Sequence, residues 1–198
     1  MRLRLAELPA QSDLALARTI LEHCATRDEE QRATRDRMLA FLERHPHDAH
    51  LRSCLAGHLT ASALVIDESR GQALLTFHRK LGRWLQLGGH CDGDANLPGA
   101  ALREACEESG IAELATDPTP IDLDIHTIPA RPGEPEHLHL DTRFLVYAPA
   151  GARETLSEES LSLRWFGPAE LGPIETDDSV RRLFTLAFRG ATARPPAE

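Results

Sequence analysis

Glutamates 104, 107 and 108 stand at i, i+3 and i+4, a spacing that sets three carboxylates on one face of an α-helix. Alone they repel, and like charges so placed weaken a helix by about 0.2–0.5 kcal/mol per pair. A divalent cation such as Mg²⁺ or Mn²⁺ removes that penalty, because both ions accept several carboxylate oxygens at once. The residues before the helix are equally restrictive. The stretch Gly88 to Ile111 reads GGHCDGDANLPGAALREACEESGI, a glycine-rich loop running into the helix and closed by Gly110 as a C-cap. The layout suits a metal site that handles phosphates.

The second half of this stretch, Arg103-Glu104-Ala105-Cys106-Glu107-Glu108-Ser109-Gly110-Ile111, resembles the signature of the Nudix hydrolases, G-x5-E-x7-R-E-U-x-E-E-x-G-U, where U is a bulky aliphatic residue. Ala105 is smaller than the residue the signature has there. The first half departs: counting from Gly89, the signature glutamate falls on Ala95, and Asp94, one residue earlier, takes its place. A looser pattern of strands and a Trp-Phe pair extends the similarity to roughly residues 56–190. The resemblance implies an α/β/α sandwich with a mixed sheet. It also implies that Gly88, Glu104, Glu107 and Glu108 bind the metals and that Arg103 orients a carboxylate, here Glu107, one turn away. Glu108 is the first candidate for general base, with Glu158 and Glu159, on the loop before Trp165, as the second.

Around this motif the chain divides into an N-terminal helical segment, 1–55, and the hydrolase domain, 56–198. Ser12 and Asp13 offer caps for a helix to about Cys24, with Leu14, Ala17, Ile20, Leu21 and Cys24 on one stripe. Asp28 to about Arg44 forms a second helix with a stripe of Ala33, Met38, Phe41 and Leu42, ended by Pro46. This segment packs on the main domain or pairs two copies into a homodimer. Strands are expected over 59–66, 72–78, 118–129, 136–147 and around 163–166. A helical turn follows at 168–171, then a final helix capped by Asp177 or Asp178 and a Pro-rich tail from Arg189.

Two of these strands carry a second constellation. Period two puts Asp122, Asp124 and His126 on one strand face, and His137, His139 and Asp141 on one face of the next. A hairpin turning at Pro132-Gly133 pairs His126 with His139 and Asp124 with Asp141. Such a patch suits a second metal or a substrate phosphate, and His90 of the glycine loop can join it. The competing reading is the polar face of a half-buried sheet. His58 and His78, flanking the first two strands, read as structural, and Trp84 and Trp165 as core.

A formal net charge of −9 disfavours a nucleic-acid polymer as partner, while a small phosphorylated substrate remains compatible through bound metal. The four cysteines show no C-x-x-C spacing, and neither a signal peptide nor a membrane-length apolar run is present, so a cytoplasmic chain with free thiols and no membrane association is expected. The expected reaction is metal-dependent hydrolysis of a diphosphate linkage in a nucleoside diphosphate linked to another moiety, with Mg²⁺ or Mn²⁺ as cofactor. The alternatives are an isoprenoid diphosphate isomerase on the same fold, for which Cys91 would be the catalytic thiol, and a nucleotide-sensing module that does not hydrolyse.

Overall fold

The computed structural model describes residues 1–155 and 160–189. Two helices open the chain, α1 (Leu14–Glu22) and α2 (Glu29–Arg44). The Asp13 carboxylate accepts from Ala15 N and the Asp28 carboxylate from Gln31 N, which satisfies N–H groups that have no intrahelical partner. The expected stripe of α1 is buried or half-buried, but Ala33 of α2 is exposed and Gln31 takes a buried place instead.

Eight strands form one mixed sheet: β1 (Gly57–Asp67), β2 (Gln72–His78), β3 (Arg83–Leu85), β4 (Leu87–His90), β5 (Ala115–Thr116), β6 (Asp122–Ile128), β7 (His137–Tyr147) and β8 (Ser160–Phe166). The path runs β3-β2-β1-β7-β5, with β4 on β1, β6 on β7 and β8 on β2. Among the strands of the described residues only β1 and β7 run parallel, in register from Gly57↔Leu138 to Ile66↔Tyr147. Helix α3 (Leu97–Ser109) lies between β4 and β5, and α4 (Asp178–Ala187) follows β8 with Asp177 as its cap.

Period two along β1 sorts the layers. Leu59, Ala61, Ala63 and Val65 share one apolar cluster with Leu21, Met38 and Phe41 of the N-terminal helices and with Leu97, Ala100 and Ala101 of α3. Leu64 and Ile66 face the other way, against Val180, Leu183 and Phe184 of α4. Helices thus cover both faces of an α/β fold, and the N-terminal segment belongs to the same core as the sheet. It is tied in at its start as well, by the Leu3↔Thr116 bridge.

The hairpin has the expected register. His126 pairs with His139 and Asp124 with Asp141, and the Arg131↔Glu134 bridge closes the turn over Pro132 and Gly133. Strand β4 was not expected. Gly88 and Gly89 pair with Ser62 and Ala61 rather than lying in a loop, because two adjacent glycines carry no strand signal of their own. The described residues include no helix long and apolar enough to cross a membrane.

Candidate active site

Helix α3 is built to hold its charged face steady. Leu97, Ala100, Ala101, Leu102, Ala105 and Ser109 are buried, so the remaining face carries Arg103, Glu104, Glu107 and Glu108. Ala105, small where the signature has a bulky residue, packs in this core. At the C-terminus Gly110 adopts φ 68° and donates its N–H to Cys106 O, the left-handed end that glycine permits.

The motif's two halves meet where β4 passes α3. The Gly88 N–H donates to the Glu108 carboxylate at 2.9 Å. A Cβ at Gly89 would collide with the Glu104 carboxylate, so the absence of a side chain there is what lets that carboxylate lie against the strand. Arg103 is the hub: its guanidinium is 2.5 Å from Glu104 Oε1, 3.8 Å from Glu107 Oε2, and donates to His90 O at 3.1 Å. Its main partner is therefore Glu104 rather than the expected Glu107. Glu104, whose side chain is 15% exposed, lies in the crease between helix and strand, whereas Glu107, at 62%, projects to solvent.

Burial raises the Glu104 pKa. Arg103 opposes that shift and the neighbouring Glu107 charge adds to it. Carboxylates crowded on one face, with one guanidinium shared between two of them, are what a divalent cation relieves. Three carboxylates are hard oxygen donors, to which the backbone carbonyl of Gly88 would add a fourth, so the residues fit Mg²⁺ or Mn²⁺.

Other expected residues are placed elsewhere. Asp94 accepts from Gln11 N (3.0 Å) and Asn96 N (2.8 Å), stitching the glycine segment to the N-terminal arm ahead of α3. Cys91 is buried, and burial pushes its thiol pKa up, the reverse of what a thiolate catalyst needs. Trp165 is buried with its indole N–H on Glu154, and Trp84 packs edge-on against Phe77 and Phe166. Glu158 and Glu159 lie outside the described residues.

The polar patch divides in two. Asp124 and Asp141, with Asp122, surround Arg143, whose side chain is 2% exposed: its guanidinium lies 2.8 Å from Asp141, 3.1 Å from Asp124 and 3.4 Å from Asp122. Thr60 and Ser62 donate to Asp141, Gln31 to Asp122, and Arg182 pairs with both Asp122 and Asp124. The aspartates are thus engaged by cations of the chain itself. Arg143 could have been found from its place at period two after Asp141. The histidines gather beside this network: His90 on β4 and His137 and His139 on β7 surround His58 of β1, while His126 on β6 packs on His139 and bonds Asp124. His58 reads as structural from the sequence because nothing local shows that β1 lies between β4 and β7.

The family model described as the NUDIX domain matches residues 57–188. Among solved structures the chain is similar to the dihydroneopterin triphosphate pyrophosphohydrolase of E. coli, at 16% identity and TM-score 0.53 over 64% of this chain and 92% of that one. A NUDIX-family hydrolase from Clostridium perfringens aligns at 23% identity and TM-score 0.53, covering 68% and 97%. An Ap4A hydrolase from C. elegans aligns at 17% and 0.55, covering 69% and 98%. At these identities the likeness is one of fold. Curated protein sequences give no match.

Proposed function

This chain belongs to the Nudix family of hydrolases, and on that premise we propose that it cleaves, with a divalent metal, the diphosphate linkage of a nucleoside diphosphate joined to another moiety. The observation that carries this reading is the meeting of Glu104, Glu107 and Glu108 on one helix face with Gly88 of the adjoining strand. Those three carboxylates and the Gly88 carbonyl would hold Mg²⁺ or Mn²⁺. When bound, such an ion supplies charge neutralisation on the diphosphate oxygens and Lewis acidity toward the attacking water.

The chain's own groups do the rest. Arg103 fixes Glu104 against the strand and, through His90 O, fixes the helix to β4. The Gly88 N–H orients the Glu108 carboxylate, which we assign as the base that takes the proton from water. Glu107, the most exposed of the three, is the one best placed to meet a ligand arriving from solvent. The three glutamates present on the helix favour hydrolysis over sensing, since a sensor has no need of them. The protonated, buried Cys91 disfavours the isomerase reading.

The test is a Mg²⁺- and Mn²⁺-dependent screen over nucleoside diphosphate sugars, ADP-ribose, dinucleoside polyphosphates and nucleoside triphosphates. Metal-dependent release of a nucleoside monophosphate from one of the first two classes is expected. Ligand-induced thermal stabilisation without product from any of them would replace hydrolysis by sensing.

A further inference from the structure

The imidazole side chains on the polar face of the sheet have no role in the reaction above. His58 on β1, His90 on β4 and His139 on β7 each place a ring nitrogen within 4.8 Å of the others. The ladder causes this: His58 pairs directly with His139, and His90 pairs with Thr60, two residues along β1, so three neighbouring strands present imidazoles to one point. Ring centroids are 4.8 Å apart for His58 and His139, and 5.0 Å apart for His90 with either. A fourth ring, His137, stacks 5.0 Å from His58.

Two observations mark these rings as ligands rather than packing. First, His58 is 4% exposed and neither of its ring nitrogens makes a well-formed hydrogen bond among the described residues, although the Cys54 backbone lies nearby. A neutral imidazole carries one N–H and one lone pair that need partners, and an unmet group costs about 1–3 kcal/mol. Second, His137 Nδ1 donates to Pro135 O at 2.9 Å, which leaves the lone pair on Nε2, and that atom lies 3.3 Å from His139 Nε2. Two nitrogens of a tetrahedral shell with metal–nitrogen bonds of about 2.0–2.1 Å are about 3.4 Å apart. Glu134, 3.6 Å from the same nitrogen of His137, adds negative charge at the rim.

We propose that His58, His90 and His139, with His137 at the edge of the site, bind a transition-metal ion of the Zn²⁺ class, at a site separate from the carboxylates of α3. All-nitrogen donors select Zn²⁺, Co²⁺ or Ni²⁺ over Mg²⁺, so the two sites do not compete for one ion. The ion ties β4, the strand that carries Gly88, to β1 and β7.

Untagged, chelator-stripped protein is titrated with Co²⁺ in millimolar Mg²⁺, and the visible absorption of tetrahedral Co²⁺ is followed. One equivalent should bind, be displaced by Zn²⁺, and raise the melting temperature. His90→Gln and His139→Gln should each weaken Co²⁺ binding by roughly 100-fold, while the circular dichroism of their metal-free forms matches the parent. Glu107→Gln should keep the band. Absence of a stoichiometric band, or a band lost in Glu107→Gln and kept in the histidine variants, overturns the proposal.

Discussion

The Gly88 N–H and the Glu108 carboxylate are joined at 2.9 Å, so strand β4 and helix α3 are fixed to each other at the centre of the motif. Strand β4 in turn pairs closely with β1. Gly88 sits at φ 147°, and a Cβ there would overlap Cα and Cβ of Ser62.

Gly88→Ala should therefore destabilise the fold by about 2–4 kcal/mol, from backbone strain together with displacement of β1. Gly71→Ala is the control: φ is 63° but nothing stands within contact of the added methyl, so a cost of about 1 kcal/mol is expected. Urea denaturation of both measures the difference, and equal losses would show that strand proximity has no part in it.

Glu107→Gln and Glu108→Gln should each lower turnover by roughly 100-fold or more while the melting curve of the metal-free protein is unchanged or slightly raised, because one repelling charge is gone. Near-parent turnover in both variants would remove the carboxylate face from the reaction.

Arg143→Met should cost about 3–5 kcal/mol, since it takes the central cation from the buried Asp122 and Asp141 and the half-buried Asp124. Chemical denaturation gives the number, and a loss under about 1 kcal/mol would mean that Arg182 alone suffices for the aspartates.

Acid should act through Asp124. Burial pushes its carboxyl up, but the hydrogen bond with His126 and the Arg143 charge outweigh that and hold the pKa at about 2. A carboxylate depressed in the folded state favours folding fully above its unfolded value near about 3.9. That contribution, about 2 kcal/mol, is lost as pH falls from about 4 toward about 2. Asp124→Asn should flatten the fall in stability between pH 4 and 2 relative to the parent, and an unchanged slope would rule Asp124 out as its source.

Cys91→Ser should leave turnover within about two-fold of the parent once folding is complete, with a stability loss of about 1–2 kcal/mol for burying a hydroxyl. A loss of turnover by orders of magnitude would restore the thiol to the chemistry.

Much of this arrangement is local and could be read from the chain. The carboxylate face of α3, its Gly110 end, the caps at Asp13, Asp28 and Asp177, and the Asp124–Asp141 and His126–His139 pairs all follow from residue spacing. What escaped was non-local. Strand β4 is specified by its fit against Ser62, and the place of His58 by a parallel pairing across some eighty residues of chain. Asp94 looked like a substitute for the signature glutamate, yet its oxygen is taken by backbone N–H groups, one of them from Gln11. Helical spacing sets Arg103 against Glu107, but the crease beside Gly89 draws Glu104 closer.

The mixing of α1 and α2 into the cluster that holds Leu59, Leu97 and Phe144 bears on how the protein can be handled. The stretch that matches the family begins at residue 57, and a shortened gene starting there would strip the lid from half of the sheet. The product would present Leu59, Ala61 and Leu97 to water and should collect in inclusion bodies, so the family boundary is no place to cut.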